Sequence, residues 1–382
     1  MTELPEHASP VTPGGTDKLE PGVALCLSGG GYRAMLFHVG ALWRLNELGW
    51  LPKLDRVSSV SGGSITAATL GQHWGRLRFG ADGIAQAFAS ELVAPLRRLA
   101  STTIDRGSIL GGILQPKKTV AEKVAEAYRK HLFGTATLQQ LPDRPRFVLN
   151  ATNVQTGSLW RFSKPYMADY QVGLYPTPDV ELAVAVGASS AFPPMLSPVR
   201  LTVDEGGYSP DGRGKLFRAP FTTNPVLSDG GVYDNLGLET AWKRCETILI
   251  SDGGGHMQPE GDVPSDWARH GLRINALIDN QVRSLRKLQA IEGFKTQARK
   301  GVYWGIRTDV AGYDPPGGAL PCPARQTLAL AATKTRLERL PDERQEQLIN
   351  WGYAACDAGM RTHVDRSLPA PAGFPYPTRG VG

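Results

Sequence analysis

Cysteine is scarce in this chain: Cys26, Cys245, Cys322 and Cys356 are the only four in 382 residues. No two stand at CxxC or metal-ligand spacing, and so few cannot staple a fold of this length, which argues against a zinc module, a dithiol redox site or a disulfide scaffold. Reduced thiols in an intracellular setting are the expectation. Long apolar runs are also missing. None approaches the ~20 residues that span a bilayer, and the nearest candidate, 182–199, is broken by Pro193 and Pro194. The start of the chain carries Glu3, Glu6, Pro5, Pro10 and Pro13 rather than a basic stretch before an apolar one, so a secretory signal is not expected and membrane contact should be peripheral. Neither sign of charge dominates. The net charge of +6 comes from 42 basic against 36 acidic residues, and the bases are dispersed with no nucleic-acid module among them. No nucleic-acid partner is expected. No loop has the oxygen spacing of a calcium site, and no repeat recurs along the chain.

What remains is an ordinary globular composition, 41% hydrophobic and 20% charged, long enough for one large α/β domain or two smaller ones. Its centre is the stretch 57–69, where branched and small residues lead into Ser61 and Gly62, Gly63 and an alanine-containing run follow. The pattern reads strand, sharp turn, helix, with Ser61 at the apex. Ser59 stands where the stricter nucleophile-elbow motif has glycine. A glycine-serine turn that merely joins strand to helix is the competing reading.

A second strand-turn-helix unit precedes it. Residues 22–28 read as a buried strand, Gly29-Gly30-Gly31-Tyr32-Arg33 as a loop, and 34–48 as a helix. Backbone N–H groups left free at a helix start form an anion site. The same loop also fits a loose dinucleotide fingerprint, with Asp55 where a ribose-binding acid could be sought. Strands are further expected at 54–60, 146–152, 158–162, 226–229, 247–251 and 301–306, and a small-residue helix at 182–190. A long helix over 272–300 carries Arg273, Arg283, Arg286, Lys287 and Lys295. It reads either as a solvated face, the commoner case, or as a surface apposed to an anionic membrane.

An activated serine needs a base and a hole for the oxyanion. The Gly29 to Gly31 loop offers the hole. Asp229, at a strand end before Gly230 and Gly231, offers a base, and a Ser61, Asp229, His256 order is also conceivable. His256 lies in a glycine-rich loop and reads better as a solvated histidine. Asp252, before another glycine pair, reads as a turn cap. Asn150 and Asn153 read as strand-end groups that satisfy backbone or orient the elbow.

Taken together, Gly29-Gly-Gly-Tyr-Arg33, Ser59-Val-Ser61-Gly-Gly63 and Asp229-Gly-Gly231 resemble, in order and spacing, the patatin-like phospholipase family, bacterial branch. The resemblance extends from about residue 23 to about 306 and includes 150–153 and 188–194. It implies an α/β fold, a three-layer α/β/α sandwich around a central, mainly parallel sheet, here with a helical insertion at about 79–141. It also implies hydrolysis of lipid acyl esters by a Ser–Asp dyad. Ser61 would be the nucleophile and Asp229 the base, with Gly29, Gly30, Gly31, Arg33 and Gly62 forming the oxyanion hole. Arg33 would more often tie down the loop than meet a lipid phosphate. Ser59, and Ala34 where a glycine often follows the arginine, depart from the pattern with small residues. No metal or organic cofactor is called for, and the partner is a lipid or phospholipid substrate. Domain expectations are a leader over 1–18, a catalytic domain over 19–310 and a helical extension with a loose Pro/Gly-rich tail over 311–382. A dinucleotide-binding oxidoreductase and a non-catalytic lipid-binding protein are the alternatives.

Overall fold

The computed structural model describes residues 19–104 and 119–382. The expected leader and the glycine break at 107–112 lie outside them. Strand β1 (Glu20–Leu27) sets the architecture, because its side chains alternate between two separate apolar cores. Leu25 and Leu27 join the larger cluster, Ala24 and Cys26 the smaller, and all four are fully buried. A strand covered on both faces requires a layer of helices on each side.

One sheet holds every strand among the described residues. Its parallel centre runs β10 (Lys300–Gly305), β9 (Cys245–Asp252), β1, β2 (Arg56–Val60) and β3 (Arg146–Asn153). Beyond β3 an antiparallel meander follows through β4 (Ser158–Phe162), β5 (Tyr166–Asp169) and β6 (Gly173–Pro176). The two-residue β7 (Val199–Arg200) pairs with β8 (Val226–Asp229), and β8 pairs antiparallel with the end of β3. This is the three-layer α/β/α fold around a mainly parallel central sheet.

On one face lie α1 (Gly31–Glu47), α2 (Gly62–His73), α3 (Ala94–Ala100), α4 (Val120–Tyr128) and α5 (Leu182–Ser189). The short α6 (Gly231–Asp234) and α7 (Glu239–Trp242) lead to α8 (Trp267–Lys295) near the smaller core. Two C-terminal helices, α9 (Ala324–Ala331) and α10 (Asp342–Gly359), complete the chain. Helix α10 lies along α1 at a distance only glycine permits: a Cβ on Gly40 would stand 1.9 Å from the Ile349 carbonyl oxygen. Composition suggests a loose tail, yet Asn350 donates to the carbonyls of Tyr376 and Gly380 at 2.8 and 2.7 Å. Val381 is buried at the end of that tail.

The register places the site. β2 runs parallel to β3 and ends at Val60 opposite Asn150, whereas β8 runs antiparallel and ends at Asp229 opposite Ala151. The two strands therefore meet end to end along β3, which brings Ser61, just after β2, beside Asp229, the last residue of β8.

Candidate active site

Ser61 follows β2 with φ 51° and ψ −119°, a backbone conformation that side chains rarely tolerate, and α2 starts at the next residue. Packing enforces the turn. A Cβ on Gly62 would lie 2.2 Å from the Gly31 carbonyl oxygen, and one on Gly63 2.2 Å from that of Leu27. Only glycines let the elbow press against the Gly29 loop this closely. The Ser61 N–H donates to Ser189 Oγ at 3.1 Å, and that hydroxyl donates to the Asn150 carbonyl at 2.6 Å. Asn150 in turn donates to the Ser59 carbonyl at 2.9 Å. The Ser59 hydroxyl, in place of the motif glycine, lies 3.0 Å from that of Ser64. The elbow is thus braced by a buried polar net.

Asp229 faces the elbow. Its Oδ1 accepts the Gly231 N–H at 2.7 Å, while its buried Oδ2 has no hydrogen-bond partner among the described residues. Burial pushes the carboxyl up to about 7, against the pull of the Gly231 N–H and the Ser61 hydroxyl, and the charge of Asp279 on α8 raises it further. The Ser61 hydroxyl thus stands close enough to favour the carboxylate form of Asp229. A hydroxyl opposite a carboxylate that ionises near neutrality can surrender its proton to it.

The glycine loop supplies donors. Gly29 is committed, its N–H donating to the Asn235 carbonyl at 3.0 Å. For the N–H groups of Gly30, Gly31 and Gly62 no acceptor stands among the described residues, and Gly31 and Gly62 open α1 and α2, whose dipoles favour negative charge there. Arg33 turns away to anchor the loop, its Nε donating to the Gly253 carbonyl at 3.1 Å and its Nη1 to that of Thr333 at 2.5 Å. Burial, then the neighbouring Arg283, lowers its ionisation to about 10. Beneath the loop, fully buried His38 donates from Nε2 to the Ser28 carbonyl at 2.9 Å and accepts at Nδ1 from Ser251 at 2.8 Å. Desolvation lowers its ionisation to about 4, so it is neutral at physiological pH.

The rival residues lie elsewhere. Asp252 accepts from the Tyr303 hydroxyl and the Gly254 N–H, both at 2.8 Å. Although burial opposes it, Arg283 and these donors hold its carboxyl below the usual range, so it remains an anion that shapes its loop. His256 is exposed and its polar neighbour is Asn280. Asn153 donates to Asp169 at 2.9 Å within the meander. Asp55 accepts the Val23 N–H at 2.8 Å and pairs with Arg144, at the end of the parallel strands opposite the glycine loop. An acid there cannot reach a ribose bound at that loop, which removes the support for a dinucleotide site.

Two neighbours of the candidate site carry no assigned role in the sequence, although Ser189 falls within the 188–194 stretch of the resemblance. Ser189 holds the Ser61 amide, and its signal is a serine in the last turn of an otherwise apolar helix. Asn235 sits between the motifs, its Oδ1 2.3 Å from where a Cβ on Gly29 would be and 2.6 Å from one on Gly231. Nothing local marks it.

Solved structures share the fold, two of them of one human enzyme. Human GIVD cytosolic phospholipase A2 is 12% identical with a TM-score of 0.50, over 88% of this chain and 60% of that one. The same human enzyme in complex with methyl gamma-linolenyl fluorophosphonate is 14% identical with a TM-score of 0.50, over 88% and 57%. The chain spans about 60% of the length of these structures, and at such identity the likeness is one of fold. No curated protein sequence matches the chain. Residues 25–242, more than half of the chain and inclusive of the glycine loop, the Ser61 elbow and Asp229, match the patatin-like phospholipase family. The chain belongs to the patatin-like phospholipase family.

Proposed function

We propose that this protein hydrolyses acyl esters of lipids, phospholipids or related esters, with Ser61 as nucleophile and Asp229 as its base. The reading is carried by one juxtaposition: a serine on a strained elbow faces a buried carboxylate that ionises near 7, beside backbone N–H groups without acceptors. Ser61 Oγ attacks the ester carbonyl as Asp229 takes its proton. The N–H groups of Gly30, Gly31 and Gly62 stabilise the oxyanion. Asp229 returns the proton to the leaving alcohol, then takes one from the water that attacks the acyl-enzyme, and passes it to Ser61 Oγ as the Oγ–acyl bond breaks and the fatty acid leaves. A base ionising near the working pH suits both steps. Arg33 and His38 act as positioning residues for the loop.

The chain's catalytic unit is proposed as 19–310, with the helical insertion covering α5, where the Tyr128 and Ser190 hydroxyls lie 3.0 Å apart. Contact with the membrane is proposed to be peripheral, since no helix among the described residues is long and apolar enough to cross one.

The test is intact-mass analysis after exposure to a fluorophosphonate with a fatty chain, the reagent class present in the human complex. One adduct on wild type, none on Ser61→Ala and slowed formation on Asp229→Asn is the expected result, together with release of fatty acid from phospholipid. An unlabelled wild type in the presence of detergent or vesicles would refute the dyad. Lipid retention without turnover would support a binding protein instead.

A further inference from the structure

Helix α8 is built the wrong way round for a globular protein. Of its 29 residues only Ala290 and Gly293 are buried, and it carries seven of the fourteen exposed large apolar side chains among the described residues. Trp267, Ile274, Ile278 and Leu285 recur at intervals of seven, four and seven, with Leu277 and Leu288 beside them, so they form one stripe along the helix. Trp267 is 89% exposed and Leu285 63%.

An amphipathic surface helix ordinarily turns such a stripe to the core. Here the inward side is mostly polar or small: Arg283 donates to the Gly255 carbonyl, Arg286 pairs with Glu239 at 3.4 Å, Gly293 packs against Trp242, and only at the C-terminal end do Ala290 and Phe294 meet the smaller core. These contacts fix the helix's rotation and leave the stripe facing outward.

Charge identifies the occupant. The helix bears six cations, Arg269, Arg273, Arg283, Arg286, Lys287 and Lys295, against two carboxylates, Asp279 and Glu292. Arg269, Arg273 and Lys295 lie along one edge of the stripe, whereas Lys287 turns to the Tyr303 ring, 4.6 Å from its centroid. Arg269 pairs with Asp266 at 2.6 Å in an exposed pair, which is weak and exchanges readily with other anions, while half-buried Arg273 is held by Glu260 at 3.2 Å and by the Gln258 carbonyl at 2.9 Å. An apolar stripe edged by bases is the pattern of a helix lying in the plane of an anionic bilayer surface. A second copy would instead oppose two cationic helices.

The position agrees. Helix α6, which follows Asp229 directly, packs against α8, and its Val232 is 50% exposed. Asp279 on α8 acts electrostatically on Asp229. Phe192 and Met195, 58% and 54% exposed, follow α5, whose Ser189 holds the Ser61 amide. We infer that α8 is the membrane-docking element of this protein, laying its apolar stripe into an anionic phospholipid surface and bringing the Ser61 crevice to the lipid. The inference rests on the proposed lipid substrate.

The experiment is co-sedimentation of the full chain with phosphatidylglycerol–phosphatidylcholine vesicles and with phosphatidylcholine vesicles. It uses wild type, an Ile278→Asp/Leu285→Asp double variant and Leu328→Asp, which alters an exposed apolar residue on α9. Circular dichroism verifies folding, and fluorophosphonate labelling in detergent reports the serine. Wild type and Leu328→Asp should sediment with the anionic vesicles, and the double variant about tenfold less. Its labelling should be unchanged, while its hydrolysis of vesicle phospholipid falls in step with binding. Equal sedimentation of all three proteins, or none of wild type, would overturn the docking role. So would a wild-type dimer in sedimentation velocity that the double variant dissolves. Vesicle binding without a serine adduct would uphold the docking helix and overturn only the hydrolase reading.

Discussion

Replacing Ser61 by glycine should leave a more stable protein than replacing it by alanine, although both variants lose the hydroxyl. The reason is the φ of 51° at this residue. A non-glycine residue held in a sparsely populated conformation costs about 1–3 kcal/mol. The ψ of −119° is far from the left-handed helical basin, so the upper half of that range applies here. Glycine removes the strain, at a cost of about 0.5–1 kcal/mol in unfolded-chain freedom and up to about 0.8 kcal/mol for a buried methyl group. The balance favours Ser61→Gly over Ser61→Ala by about 1 kcal/mol. Urea unfolding of both variants at one pH, followed by circular dichroism, measures it directly. If Ser61→Gly is equal to or less stable than Ser61→Ala, the elbow holds no strain, and the account of Ser61 as a residue presented at structural cost fails.

The remaining predictions concern the groups around that serine. Because the proposed base would act as a carboxylate and Asp229 ionises at about 7, kcat/KM should rise with pH through an apparent pKa near 7, read from a pH–rate profile on a soluble ester. Asp279→Asn removes a charge that raises Asp229, so the acid limb should move to lower pH; an unmoved limb would separate α8 from the site's electrostatics. The same elevation makes ionisation of Asp229 costly to the fold: stability is fully present below the unfolded value near 3.9 and declines as pH rises through 7, by about 4 kcal/mol in all. Asp229→Asn should therefore unfold at higher urea than wild type at pH 8, with the gap closing by pH 4. Ser189→Ala strands the buried Ser61 N–H, so it should cost about 1–3 kcal/mol in urea unfolding and lower kcat about tenfold with little change in KM. Gly62→Ala places a methyl 2.2 Å from the Gly31 carbonyl, so it should abolish fluorophosphonate labelling while a folded circular dichroism spectrum persists.

How much of this was legible in the sequence depends on the range of the forces involved. The elbow and glycine loop were legible because a turn that needs positive φ or a bare backbone limits residue choice locally, and Gly30, Gly31, Gly62 and Gly63 carry that limit. Parallel strands β1 and β9 were legible as well, since burial on both faces writes itself as a continuous apolar run. The short β5, β6 and β7 were not: four or fewer residues with mixed side chains have no period to detect, and pairing with a neighbour makes them strands. Nor was the anchoring of 366–382, where Asn350 grips carbonyls that any residue could supply.

Register is the deeper limit. Two motifs 168 positions apart come together because β2 and β8 end opposite consecutive residues of β3. That fact resides in hydrogen-bond pairing between strands rather than in any local pattern. Asn235 shows the same limit, for its importance comes only from the gap that Gly29 and Gly231 leave between them. Helix α8 is the reverse case. Its periodicity was plain, but periodicity alone cannot say which side faces inward, and a stripe of leucines and isoleucines beside arginines reads equally well as core or as surface. The hydrogen bond from Arg283 and the packing of Gly293 on Trp242 decide it, and by turning the polar side inward they make the exposed apolar stripe a feature that requires a partner.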